Sequence, residues 1–377
     1  MARIGHKKSR NGCARCKERK VKCDERTPCG ACIKQRIVCS LTARYACQKD
    51  PNPRSNRHAE AAYKISGDIP TILAADSNLP LSANPSPPGW TEDLRLMNHY
   101  TALTSATLPG ACHQVWQSEV PKEAVAYPFL MHQILAISAF HLGHLQPSKA
   151  RLYLIRALQH QQNAVGGIKT EVSQVTTNNC HALFIASSLL FIGAFAASTT
   201  VMCPDGRRAV DDLLNVFILL RGVGGILGSS KDQFHRGILK GFMQCDSQKM
   251  GSELLQSLPS RLDRVRRYVE TSEVSPEAKA LVEEALITLR ERVIGASTTS
   301  PELNVAVLWP MHLKDDFLAL IRTYSPVALV VIAQYSLVLH AAGQDFWFIK
   351  GWGWRLNSHV TGLLSSEWRE LVTLPTN

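Results

Sequence analysis

The chain has 377 residues, 45% of them apolar, enough for a sizeable core and for a small domain beside a larger one. Its net charge of +11 is concentrated at one end: residues 1–45 carry thirteen Lys and Arg against three acids, while the remainder is nearly balanced at 29 basic to 28 acidic. With an N-terminus (MARIGHKKSR) that lacks the apolar run of a secretory signal, this argues against a secreted disulfide scaffold. It argues for a short cationic module, suited to polyanions, on a near-neutral body.

The module comes first. Cys13-x2-Cys16-x6-Cys23 is repeated after five residues as Cys29-x2-Cys32-x6-Cys39. Thiolates are soft ligands suited to Zn2+, and a CxxC turn presents two of them to one ion. Three thiolates leave a tetrahedron incomplete, so each half fails alone. Together, six sulfurs serve two ions that want eight contacts only if two sulfurs bridge both, and the duplication implies an approximate two-fold axis through the metals. Two separate four-thiolate sites need eight cysteines, more than the stretch holds even with Cys47, and iron–sulfur clusters space their cysteines differently. A module of about forty residues buries too little to fold by itself, so metal binding supplies the folding free energy.

These residues carry a resemblance. The six-cysteine run, with KCDE at 22–25, Pro28 before the fourth cysteine and Lys34 after the fifth, resembles the fungal Zn2Cys6 binuclear-cluster domain of transcription factors. The resemblance implies that two Zn2+ are bound by Cys13, Cys16, Cys23, Cys29, Cys32 and Cys39, with Cys13 and Cys29 bridging. It also implies that the helix after Cys16 enters the major groove of double-stranded DNA, with Arg19 and Lys20 where the family reads bases in CG-containing sites. Chemistry agrees, because Arg or Lys donating to guanine O6 and N7 is the commonest specific major-groove contact. Lys17, Lys22, Lys34, Arg36 and the arm residues Lys7, Lys8 and Arg10 are expected at phosphates. The DNA-binding domain is placed at 8–45.

Residues 46–90 read as a flexible linker: seven prolines fall between 51 and 88, with few large apolar residues and no leucine heptad. From 91 to 377 the pattern is helical and strand-like alternation is nearly absent, giving an all-α domain. Thr91 is a cap candidate, with Leu94, Met97, Tyr100 and Leu103 on one face. Pro128 suits the first turn of a helix through about Leu145. Helices follow at 148–165, 178–198 and 208–221, one opens at Ser275-Pro276-Glu277, and others fall at 313–323, 326–341 and 356–371. Stretches around 225–260 and 295–310 have no assignment. The uncharged runs 182–203 and 326–343 are nearly long enough to cross a bilayer, but Ser, Thr, Gln and His dilute them, so they are expected to be buried helices and not membrane spans.

Within this body, Phe184, Leu190, Phe191, Phe195, Phe217 and Leu220 at helical spacing read as core. His141 and His144 lie three apart without a third ligand and read as ordinary helix histidines, Trp352 and Trp354 in GWGW as packing or turn-flanking residues. Cys112, Cys180, Cys203 and Cys245 have no metal spacing. The segments at 90–101, 120–142, 179–191, 211–227 and 347–360 resemble fungal regulators similar to sterol uptake control proteins. In that group the helical domain is thought to bind sterol, which implies an apolar small-molecule ligand here.

The expectation is therefore a nuclear, sequence-specific transcription regulator of sterol genes or of a secondary-metabolite gene cluster, with homodimerisation left to the helical domain. No nucleophile–base pair or paired carboxylates indicate an enzyme. The rival reading is a membrane-associated ligand sensor whose basic module is only a tether.

Overall fold

In the computed structural model, residues 13, 16–17, 21–25, 29–35, 89–110, 113–200, 209–229 and 249–372 are described. The chain divides into two units, Met1–Ala62 and Tyr63–Asn377. The described part of the first includes helix α1 (Gly30–Lys34) and a buried group of cysteines.

The described residues of the second unit are mostly helical and contain no strand; an isolated bridge between Lys249 and Thr298 joins two loops. The chain runs through α2 (Trp90–Ala102), a π-turn at Val115–Glu119 into α3 (Val120–Ala124), α4 (Pro128–Leu145), α5 (Ala150–Glu171), α6 (Cys180–Thr200) and α7 (Ala209–Ser229). It continues through α8 (Glu253–Thr271), α9 (Pro276–Ile294), α10 (Pro301–Met311), α11 (Asp315–Arg322), α12 (Pro326–Asp345), α13 (Trp352–Leu363) and α14 (Ser366–Arg369).

Two helices that are apolar all round form the centres of this unit, as an apolar helix in water must. Helix α4 packs against α2, α5 and α6; α12 packs against α8, α10 and α13; α7 lies against α6, α10 and α13. Pro128, Pro276 and Pro326 each sit at the start of their helices, where a missing N–H costs nothing. Ser275 caps α9 as its sequence implies, its Oγ accepting from the Ala278 N–H at 3.3 Å.

The described part of the first uncharged run and the whole of the second are helices whose length and composition would let them cross a membrane. The segments Cys180–Ser198 and Pro326–Asp345 are instead 72% and 89% buried inside the protein. The polar residues that dilute the second run are used in the interior. Gln334 Nε2 donates to the Leu371 carbonyl at 2.7 Å, the Tyr335 hydroxyl to the Ala306 carbonyl at 2.6 Å, and Ser336 Oγ to the Ala333 carbonyl at 2.6 Å. Tyr335 also meets Trp309 and Phe217, and Trp309 Nε1 donates to the Ala285 carbonyl at 3.0 Å.

The GWGW stretch is a docking device. Gly351, at φ +84°, turns the chain through the left-handed region and caps α13. Gly353 lets α13 lie on α12, because a Cβ there would stand 2.5 Å from the His340 N and the Ser336 carbonyl oxygen. Trp352 is buried, donating to the Phe195 carbonyl at 3.0 Å, whereas Trp354 is 65% exposed. Arg355 stacks over Trp352, donates to the Ser198 carbonyl at 2.6 Å and pairs with Asp212.

Several expectations need correction. Thr91 does not cap: α2 begins at Trp90 with Gly89 before it, and no side chain takes the cap. Leu94 and Leu103 are exposed, the buried face of α2 being Leu96 and Tyr100. The helix assigned to 148–165 extends to Glu171, and the one assigned to 356–371 is two, broken at Leu364–Ser365. Helices α8 and α10 lie in or beside the stretches left unassigned. Pro259 inside α8 and the charges of RLDRVRR obscured its period, yet Leu255, Leu258, Leu262, Val265 and Val269 are its buried stripe. Ser252 Oγ caps it, accepting from the Leu255 N–H at 3.4 Å.

His141 and His144 both pack against one tryptophan. His141 stacks on Trp347 at 4.9 Å, His144 lies at 5.6 Å from the same ring, and His99 packs against His141. His141 Nδ1 is hydrogen-bonded to Thr104 Oγ1 at 3.0 Å. Burial, with His99 and His144 adding to it, pulls His141 down to about 4, and burial also lowers His99 and His144.

These rings are neutral in the fold and free to protonate when unfolded. Unfolding therefore takes up protons below pH 6.5, so their contribution to stability is complete above that value and is lost as pH falls toward about 4. His141→Asn, which keeps a partner for Thr104 but cannot titrate, is expected to flatten the pH dependence of urea unfolding in that window. Tyr335→Phe should lower stability by about 1–3 kcal/mol at every pH, because the Ala306 carbonyl then stays buried without a donor.

Candidate metal centre

The five described cysteines of the repeat are at most 3% exposed. Local backbone geometry explains how they converge. The Cys16 N–H donates to Cys13 Sγ at 3.2 Å and the Lys17 N–H to the Cys13 carbonyl at 3.1 Å, folding the first CxxC into the start of a helix. In the second half the Cys32 N–H donates to the Cys29 carbonyl at 3.0 Å as α1 begins. The Cys13 N–H reaches Cys23 Sγ at 3.4 Å, drawing the third cysteine of the first half toward the first.

The sulfurs form one network. Cys13 Sγ lies 3.7 Å from Cys29 Sγ and 3.5 Å from Cys32 Sγ, and Cys16 Sγ lies 3.6 Å from Cys29 Sγ. Exchanging the two halves (Cys13 with Cys29, Cys16 with Cys32) maps the 3.5 Å contact onto the 3.6 Å contact and the central pair onto itself. That is the two-fold relation expected of a duplicated half-site. A tetrahedral ion with Zn–S bonds of about 2.3 Å places its sulfurs about 3.8 Å apart, close to all three separations. Among the described residues two donor groups are compact enough for a metal: Cys13, Cys16, Cys29 and Cys32, and Cys23, Asp24 and Cys29. Cys29 belongs to both.

Without a metal, burial pushes the Cys16 and Cys29 thiols up to about 12. Burial also acts to raise Cys13, but the Cys16 amide and the surrounding thiols more than offset it and bring Cys13 down to about 6. Such a cluster takes up divalent cations with release of protons, and the buried, all-sulfur donor set fits zinc.

Comparison with known proteins agrees. Residues 11–48 match the fungal Zn(2)-Cys(6) binuclear cluster domain, which holds two zinc ions, and residues 95–213 match the fungal specific transcription factor domain. The chain is 36% identical over 207 residues to the Zn(2)-C6 fungal-type transcription factor afumD of Aspergillus fumigatus, covering 52% of this chain and 48% of that protein. A Zn(2)-C6 fungal-type transcription factor of Gibberella zeae is 28% identical over 281 residues, 62% of this chain and 57% of that protein. Sterol uptake control protein 2 of Saccharomyces cerevisiae is 23% identical over 272 residues, 69% of this chain and 29% of that protein. The chain thus spans about half the length of the first two relatives.

Of the residues expected at DNA, Lys17, Lys22 and Lys34 are exposed around the buried sulfurs. Cys39, Arg19, Lys20, Arg36, Lys7, Lys8 and Arg10 lie outside the described residues, as do Cys47, Cys112, Cys203 and Cys245. Cys180 is buried and donates to the Thr177 carbonyl at 3.6 Å. Sequence reading gave no role to Asp24, both of whose carboxylate oxygens lie 3.0 Å from the Gly30 N–H. The signal was available in KCDE, an acid directly beside a ligand. In the helical unit, an open groove of about 360 Å³ is lined by Thr288, Glu291, Arg292 and His312, a polar rather than apolar set.

Because Cys29 is shared between the two donor groups, Cys29→Ala is expected to reduce zinc from two ions per chain and to abolish the chelator-sensitive helicity of the module. Metal analysis of reduced, purified protein checks this; two retained ions would sink the bridging role.

Proposed function

We propose that the chain is a sequence-specific DNA-binding transcription regulator that acts in the nucleus. The observation that carries this reading is the arrangement of the first unit: sulfurs turned inward at tetrahedral spacing, with Lys17, Lys22 and Lys34 exposed outside them. The metal supplies cohesion and charge to a module too small to fold otherwise. Residues Cys13, Cys16, Cys23, Cys29, Cys32 and Cys39 hold the two ions, with Cys13 and Cys29 shared. The exposed lysines neutralise phosphates and supply most of the affinity, while Arg19 and Lys20 donate to guanine edges in a CG-containing site. The helical unit is the regulatory half, answering to an apolar ligand or to a second copy of the chain. The name shared by two relatives, sterol uptake control protein 2, points to genes of sterol uptake as targets; a secondary-metabolite gene cluster is the other target class of this reading.

Selection from a random duplex pool, followed by gel shifts, tests the reading. CG-containing sites should be enriched, and binding should vanish on zinc chelation. Arg19→Ala and Lys20→Ala should each cost about 1–3 kcal/mol on the selected site and relax base preference there. Lys34→Ala should instead weaken all duplexes alike and lower the salt-dependence slope by about 1. Binding that is equal for all sequences, or unaffected by chelation, would overturn the proposal and favour a tether to acidic surfaces.

A further inference from the structure

Two zinc ions sharing Cys13 and Cys29 have their eight contacts filled by six sulfurs, so an additional metal-binding group at the cluster is surplus. Asp24 is that group. Its carboxylate lies with the sulfurs of Cys23 and Cys29 in a set whose donor atoms are all within 4.8 Å of one another. Both its oxygens are held 3.0 Å from the Gly30 N–H, and a Cβ on Gly30 would stand 2.9 Å from Asp24 Oδ2, so any side chain there would displace the carboxylate. The chain next to it takes an uncommon conformation, with Glu25 at φ +58°. The donors differ in access: Asp24 is exposed, whereas Cys23 and Cys29 are 3% and 0% exposed. The repeat has no second copy of this feature, because Ser40 follows Cys39 where Asp24 follows Cys23.

The carboxylate thus stands beside the thiolate cluster and is open to water at the same time. A hard, exposed oxygen donor is also what a hydrated divalent ion meets first, before it gives up water to buried sulfur.

We propose that Asp24 is the entry and exit ligand of the cluster: it takes the arriving zinc ion from water, with Cys23 and Cys29 as its first sulfur partners, and receives the ion again when it leaves. The inference rests on the two-zinc reading of the module. In exchange terms, a zinc–water bond is replaced by a zinc–carboxylate bond, which is then replaced by zinc–thiolate bonds as the thiol protons pass to solvent. No oxidant or reductant is involved. Asp24 returns to the Gly30 N–H once the ion is seated.

The test uses the reduced full-length chain and zinc alone, following uptake by stopped flow and loss to excess chelator. Asp24→Asn keeps an acceptor for the Gly30 N–H but loses the charge and the ligating oxygen pair. It is expected to end with two zinc ions per chain, as wild type does, yet to load and to release the ions about tenfold more slowly, since one path serves both directions. Asp24→Glu should restore part of the rate. A residue that merely braces the loop would give the opposite sign for release, a looser cluster losing zinc faster. Faster release, or rates equal to wild type in both directions, would overturn the proposal. Failure of the wild-type chain itself to take up two ions would instead remove the metal reading on which it stands.

Discussion

Coordination of sulfur to a divalent cation is the constraint on which the first unit depends. Protonated and buried, the thiols of Cys16 and Cys29 share only a weak S–H···S contact at 3.6 Å. Charged, they would repel. Only a cation turns their proximity into cohesion, and the separations of 3.5–3.7 Å between sulfurs are those one cation demands of its ligands. Everything outside the sulfurs follows: the two short turns that deliver each CxxC, the clasp between Asp24 and Gly30, and the lysines left facing outward because the interior is already full.

The second unit is held differently, by apolar surface, and its specificity comes from the few polar groups that the surface encloses. Gln334, Tyr335 and Trp309 each donate to a carbonyl on another element, at Leu371, Ala306 and Ala285 respectively. Trp352 and Arg355 do the same toward α6, and Arg355 also pairs with the Asp212 carboxylate of α7. A bundle of helices with only aliphatic faces could slide; these bonds fix which residue stands opposite which. The His99–His141–Trp347 stack serves the same end between α2, α4 and the turn after α12, at the expense of tolerance to acid.

The fold class, a cysteine cluster beside an all-helical body, was legible where local chemistry decides it. Six cysteines at repeated spacing specify a metal cluster irrespective of context, and Ser275-Pro276-Glu277 starts a helix through bonds made within four residues. Thr91 misled because a cap is set by where the chain enters the helix, which neighbouring elements determine; here Gly89 holds that place. Helix α8 was overlooked because a proline and four arginines outweighed a regular apolar stripe of five residues. Within the described residues, the polarity of the runs from 182 and from 326 marks interior helices, Cys180–Ser198 and Pro326–Asp345, but which carbonyl each polar group meets depends on residues as far as 37 positions away. Asp24 illustrates the remaining limit: the acid was visible beside Cys23, while its placement against Gly30 and Cys29 exists only once both halves of the repeat close together.

The first turn of α7 carries two adjacent acids that reach in different directions. Asp211 accepts from the Tyr324 hydroxyl at 2.8 Å, in the bend between α11 and α12, and Asp212 pairs with Arg355 on α13. Farther along the same helix, Arg221 pairs with Asp315 at the start of α11. Beyond its buried apolar face, one rod is therefore pinned to three separate parts of the bundle by charged or phenolic tips. A push along its axis would tug the bend, the final long helix and the head of α11 in a single stroke, which gives α7 the mechanical character of a crankshaft.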